Sequence, residues 1–163
     1  MGIKVQTIIM GEVEVDEKAI ITFPNGLPGF GGAKRWFFAG EDEDVIKWMI
    51  CLDCGHICLP VTSPEVVDPA YSPHIPEENL KRLRLSSLDE GVLMVVLNLP
   101  RDKPWMGTAN LLAPIIINPS LRLGEQVVLM DERYSVRTPL VSEEERAKIE
   151  QSIEAPKRQG GEE

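Results

Sequence analysis

Histidine is almost missing from this 163-residue chain, with only His56 and His74 present. That scarcity takes the usual general base and the commonest metal ligand away from nearly all of the sequence. No Gly-x-Ser-x-Gly elbow occurs either. Cys58 and His56 stand two positions apart on one predicted strand and could touch. Nothing in the sequence orients the imidazole or supplies an oxyanion hole for such a dyad. The glycines of Pro24 to Gly32 include Gly26 and Gly31 at P-loop spacing, but Gly32-Ala33 follows where lysine and serine or threonine are required. Turn formation explains those glycines and prolines. The chain does not read as an enzyme, and no cofactor is expected.

Cysteine is scarce as well. Three residues, an odd number, do not suggest a secreted disulfide framework. The apolar run from Thr108 to Asn118 falls short of the roughly 20 residues that span a bilayer as a helix. The segment Met1 to Gln6 lacks the basic and apolar regions of a secretory leader, and Gln6 stands where myristoylation needs serine or threonine. The expectation is a cytoplasmic protein. Positive charge is in deficit: Lys plus Arg number 17 against 26 Asp plus Glu, a net charge of -9. Such a surface repels phosphate backbones, which argues against direct nucleic-acid binding. It serves solubility, or it attracts a basic protein partner.

What is present is organised around Thr108 to Asn118. Ile115, Ile116 and Ile117 are β-branched in succession, which favours a strand. The lack of alternation predicts that both faces are covered. Pro114 cannot donate to a ladder and should mark a bulge or an edge. Gly91 to Pro100 precedes this run, and Gly124 to Met130, continued by Asp131 to Arg137, follows it. The three predict an antiparallel meander. The expected fold is mostly β, a small antiparallel barrel-like sheet with one or two short helices. Residues 1–140 should form a single domain.

Earlier in the chain, Val5, Thr7 and Ile9 against Val13 and Val15 predict a half-buried hairpin. Ala19 to Phe23 and Arg35 to Ala39 read as strands, with Leu27 and Phe30 anchoring the loop between them. After the acidic loop Glu41 to Asp44, Ile46, Trp48, Ile50 and Leu52 alternate with Lys47, Met49, Cys51 and Asp53. A two-residue turn at Cys54-Gly55 would pair Asp53 with His56, Leu52 with Ile57 and Cys51 with Cys58. That register puts every strongly apolar residue on one face. It sets Cys51 and Cys58 opposite each other, away from the core, with Cα atoms roughly 4.5 to 5.5 Å apart.

Cys51, Cys54, His56 and Cys58 are also four potential zinc ligands within eight residues. Structural sites usually combine two ligand pairs from separated segments, whereas these share one hairpin. The reading is therefore reduced surface thiols. Downstream, Ser63 to Pro76 should wrap the surface with Tyr71 as an anchor. Pro76-Glu77-Glu78 opens a short helix with Leu80 and Leu83 on its apolar edge. In the tail, Ser142 with Glu145 forms a capping box, and Ile149 and Ile153 share a face. Ala155-Pro156 should end that helix and leave Lys157 to Glu163 disordered, so residues 141–163 are expected to be a short helix and tail.

Four phrases carry a resemblance: IITFPNGLPGF (Ile20 to Phe30), LPVTSPEVVDPAY (Leu59 to Tyr71), TANLLAPIIIN and QVVLMDERYSVRTPL. In this order they resemble the FliW family of bacterial flagellar assembly factors, over roughly Val5 to Leu140. The resemblance implies a binding protein with two partners, the RNA-binding translational repressor CsrA and flagellin. It implies relief of CsrA repression without occupation of the RNA site, and competition by unsecreted flagellin. It gives the hairpin cysteines no support. Candidate partner-binding residues are the acidic loop Asp42, Glu43 and Asp44 and the strand-end group Asp131, Glu132, Arg133 and Tyr134. Two other readings stay open: a cysteine- or metal-dependent regulator, and a chaperone of flagellin alone.

Overall fold

Valines spaced two apart open the chain as a hairpin. β1 (Gly2–Thr7) pairs antiparallel with β2 (Gly11–Asp16), Val5 opposite Val13, in a computed structural model that describes residues 2–54 and 57–160. Gly11 closes the turn at φ 68°, a conformation glycine adopts without steric cost. The strands that follow are β3 (Ile21–Thr22), β4 (Arg35–Ala39), β5 (Lys47–Cys51) and β6 (Cys58–Thr62). Two short helices come next, α1 (Pro64–Val67) and α2 (Glu77–Arg82). Then come β7 (Val92–Asn98), β8 (Thr108–Ala109), β9 (Ile115–Asn118), β10 (Leu123–Gln126) and β11 (Thr138–Pro139). The helix α3 (Glu143–Gly160) ends the described chain.

Strands β3, β4, β5, β6, β7, β9 and β10 neighbour one another in that order, and β10 returns to β3, so seven strands close a barrel. The closing seam is parallel and short. It holds one residue pair, Leu123 with Thr22, and the Thr22 N–H donates to the Arg122 carbonyl at 2.9 Å. β8 and β11 extend the sheet from the far end of β7. The fold is thus the mostly β, barrel-like sheet expected from the sequence.

Both faces of the barrel wall are covered. Trp36, Met49, Cys51, Val61, Ile115 and Ile117 point into the interior together with Phe23. Outside, the β1–β2 hairpin lies over Phe37 and Ile50. The α2 side covers Ile116 through Leu83 and Leu85. Tyr71, Tyr134 and Leu140 cover Val95 and Leu97. Ile115 to Asn118 is buried at every position, as its unbroken apolar character predicts. The two asparagines bounding that run also act locally. The Asn110 Oδ1 accepts the N–H groups of Leu112 and Ala113, at 3.1 and 3.0 Å. The buried Asn118 donates to the Leu83 carbonyl at 2.8 Å and ties α2 to the wall.

The predicted meander is present as β7, β9 and β10, but β10 ends at Gln126. Asp131 to Arg137 does not continue it. Pro114 stands just before β9 and has no N–H to return. The Val127 and Leu129 N–H groups still bond the Pro114 and Leu112 carbonyls, at 3.0 and 2.7 Å, but no regular ladder forms there. Leu27 is buried as expected, whereas Phe30 is exposed and pairs with Leu27 through the backbone. Pro76 lies one position before α2, its carbonyl accepting from Asn79 and Leu80.

The β5–β6 register corrects the sequence reading. Ile50, not Cys51, pairs with Cys58, and Met49 pairs with Leu59. The Cys51 N–H donates to the Ile57 carbonyl at 3.0 Å, so the connection is longer than a two-residue turn. A one-residue slip moves every side chain to the other face. Cys51 lies in the barrel interior, and Cys58 lies outside against the hairpin. Trp48, Ile50 and Leu52 face outward, whereas Ile57, Leu59 and Val61 face inward. The single-face criterion misplaced the register because β5 and β6 are covered on both sides. The expected Asp53–His56 pair and the roles considered for His56 lie outside the described residues. Among the described residues no three His, Cys, Asp or Glu side chains converge on a metal position.

The start of the β5–β6 connection is pinned to β4. Asp53 accepts the Arg35 backbone N–H at 3.1 Å, Nε at 2.9 Å and Nη2 at 2.6 Å. Burial alone would raise the Asp53 carboxyl, but the Arg35 side chain and backbone outweigh it and hold the group below the usual carboxylate range. A depressed folded-state pKa stabilises above the unfolded value of about 3.9, and that stability is lost as pH falls through the folded value. Both groups are partly exposed, so solvent screens the pair. Asp53→Asn should therefore cost about 1–2 kcal/mol at pH 7. Denaturant unfolding of both proteins at pH 7 and pH 3 should show that difference shrinking in acid.

α3 begins as the capping signal predicts, with Glu145 N–H on Ser142 Oγ at 3.2 Å. It runs through Pro156 to Gly160, past the stop expected at Ala155-Pro156. A proline inside a helix removes one donor and crowds the carbonyl four residues earlier, which weakens the helix there without always ending it. The side chain of Ile153 and residues 161–163 lie outside the described part. The helix meets the barrel domain near Trp105, whose Nε1 donates to Glu150 at 3.3 Å. We propose that residues 1–140 fold without it. Deleting 141–163 should shift stability by about 1 kcal/mol. Loss of the cooperative unfolding transition in the truncated chain would instead make α3 an integral element.

Candidate partner-binding surfaces

The two predicted groups are not brought together. The acidic loop joins the end of β4 to the start of β5, the barrel end at which β10 begins. Asp131 to Tyr134 follows the opposite end, where β10 finishes. In the loop, Asp44 closes the turn: its carboxylate accepts the Glu41 N–H at 2.8 Å, and its own N–H donates to the Glu41 carbonyl at 3.0 Å. Asp42 and Glu43 are exposed beside it.

The strand-end group is built on aromatic rings. Tyr71 and Tyr134 meet edge to face at 4.7 Å between centroids. The Tyr71 hydroxyl donates to the Leu111 carbonyl at 2.7 Å, and the Tyr134 hydroxyl accepts the Ser72 N–H at 2.9 Å. Tyr71 is thus the anchor the sequence predicts. Burial first, then the neighbouring Tyr134 and Asp131, push its hydroxyl well above the ordinary tyrosine value. Arg133 lies over the Tyr134 ring at 5.1 Å and forks onto Asp131, Nη2 to Oδ2 at 2.7 Å. The Arg133 hydrogen bond holds the Asp131 carboxyl below its usual range. The Asp131 and Arg133 charges are therefore satisfied by each other, while Glu132 is exposed. Tyr71 and Tyr134, both half-buried, leave a partial aromatic edge at the surface.

That edge adjoins a groove of about 630 Å³ lined by Pro64, Tyr71, Ser72, Leu88, Asp89 and Leu93. A second hollow of about 470 Å³ lies between the Asn25 to Pro28 loop, α2 and the chain after β10. There Arg82 pairs with Glu125 at 2.9 Å, and Asn79 donates to the same carboxylate. Arg82, at the end of α2, is thus neutralised by Glu125. Sequence reading missed the apolar residues at its rim. Val128 and Met130 point outward, Met130 fully exposed, while Val127 and Leu129 are buried. Alternation through Val127 to Met130 held that signal. The hairpin tip Ile8, Ile9 and Met10 is exposed as well, because β1 ends at Thr7 and the three residues form the turn.

Comparison with known proteins places this architecture. The profile of the FliW protein family matches residues 4–140. The flagellar assembly factor FliW of Thermotoga neapolitana is 39% identical over 140 residues, spanning 85% of this chain and 94% of that protein. The protein of the same name from Leptospira interrogans is 33% identical over 142 residues, spanning 86% and 95%. A crystal structure of the flagellar assembly factor FliW superposes with a TM-score of 0.80 at 29% identity, covering 86% of this chain and 98% of that one. The match takes in the barrel, the hairpin and the strand-end group and stops before α3, and on it the chain belongs to the FliW family.

Proposed function

We propose that this chain is a cytoplasmic flagellar assembly factor that works by exchanging protein partners. It binds CsrA and relieves repression of flagellin synthesis, and flagellin competes for it. The observation that carries this reading is the agreement in both sequence and fold, over residues 4–140, with proteins named flagellar assembly factors. The chemistry of the surface supports it. A net charge of -9 suits a basic RNA-binding partner. The Tyr71–Tyr134 edge beside a groove of about 630 Å³ suits a protein ligand, since aromatic anchors dominate such contacts. Among the described residues no helix is long and apolar enough to cross a membrane.

The test is competition. CsrA immobilised on a sensor should capture the protein in the absence of flagellin, and added flagellin should release it. Capture by flagellin alone would reduce the reading to a flagellin chaperone. Stable binding of both partners at once, neither weakening the other, would remove the exchange mechanism.

A further inference from the structure

The barrel is not plugged at the end where β10 begins. Ile21, Phe38, Met94 and Ile117 all belong to the interior, yet they form the floor of a pocket of about 290 Å³ open to solvent there. Lys18, Lys47 and Arg122 stand around its mouth. The strand pleat explains the arrangement: Lys47 shares its inward phase with Met49 and Cys51, so at the barrel rim it leans over the opening. Arg122 is held by a bond from Nη1 to the Glu17 carbonyl at 2.9 Å. Among the described residues no carboxylate lines the pocket itself, and the acidic loop Glu41 to Asp44 lies outside the lining at the same barrel end. Barrel mouths are habitual ligand sites, apolar within and marked by a few placed polar groups.

We propose that this mouth binds a medium-chain carboxylate, its alkyl chain on Phe38, Met94 and Ile117 and its head group among Lys18, Lys47 and Arg122. The size follows from the volume. A hollow of about 290 Å³ with an apolar floor suits a short alkyl chain rather than a long one, and octanoate is taken as the probe. The sign follows from the rim, because three cations without a counter-ion in the lining favour an anion and repel an ammonium. The site opens at the barrel end that carries the acidic loop, and Val92 lines both it and the Tyr71 groove, so the ligand titrations use the protein without any partner present.

The full-length chain should be titrated with octanoate and with octylamine by calorimetry, and with octanoate again while methyl NMR signals of Met94 and Ile117 are followed. Saturable one-to-one binding of octanoate that moves both methyl groups is expected, with octylamine at least about tenfold weaker. A Lys18→Gln, Lys47→Gln variant with an unchanged melting temperature should lose at least about tenfold in octanoate affinity. Equal affinity for the two ligands would overturn the proposal. So would undiminished binding by the double variant, or no shift at Met94 and Ile117. The ammonium comparison uses the unaltered protein and decides the matter even if the variant fails to fold.

Discussion

Gly124→Val should unsettle the barrel badly, costing about 3 kcal/mol or more. A Cβ at position 124 would come within 2.7 Å of Phe23 Cε1 and Cε2, and nearer still to Cζ. Phe23 cannot swing aside. It is fully buried and packs edge to face on Trp36 at 6.3 Å between centroids. Overpacking of a filled core costs about 1–3 kcal/mol and at times more. Here it strikes beside the seam, where one residue pair joins β10 to β3. Gly124→Ala should lose less, about 1–3 kcal/mol. Adding Phe23→Leu to Gly124→Ala should restore part of that loss even though Phe23→Leu destabilises alone, because the two groups meet. Urea midpoints of the four proteins measure this. Strictly additive losses would show that the residues do not touch.

The second large effect concerns the rate at which a basic partner is found. A chain of net charge -9 attracts a cationic protein over distances set by the ionic atmosphere, about 10 Å at 0.1 M salt and about 3 Å at 1 M. Electrostatic steering changes association rates by about 10- to 1000-fold. Raising salt should therefore slow association with CsrA steeply while dissociation changes little. Asp42, Glu43 and Asp44 sit on one exposed turn. Replacing all three by their amides should flatten the salt dependence if that barrel end meets the partner. The Asp131–Arg133 pair is internally neutralised, so Asp131→Asn should leave the slope nearly unchanged. Stopped-flow mixing across a salt series separates these cases. Association indifferent to salt would assign the acidic surface to solubility and leave partner exchange to apolar contacts.

How much of this was legible before the structure depends on what each residue reports. Ile115 to Ile117 reported burial on both faces without ambiguity, and the flanking strands followed with the right neighbours. Val5, Val13 and Val15 reported a hairpin because one of its faces stays wet. Trp48, Ile50 and Leu52 misreported theirs. Alternation tells which residues share a face, but a register is recovered from it only if the other face meets water, and here Met49 and Cys51 fill the barrel interior. Tyr71 was legible as an anchor, since a lone aromatic in a proline-rich loop has little else to do. Its pairing with Tyr134, distant in sequence, was not. The pocket at the barrel mouth was invisible for the same reason: Lys18, Lys47 and Arg122 become neighbours only once the ring closes.

That ring also sets a timetable. Thr22 and Leu123, which close it, are about a hundred residues apart in the chain. Non-local pairing must wait for loop closure, and folding slows accordingly. On a ribosome adding about 5–20 residues per second, β10 emerges roughly 5–20 s after β3. Through that interval the strands already made form an open sheet whose inner face, with Trp36, Met49 and Val61, has no opposite wall. Both edges of that sheet stay available to other chains. A nascent copy of this protein is at its most vulnerable just before Leu123 arrives. The rate at which β7, β9 and β10 are synthesised should govern the yield of folded protein more than the final stability does.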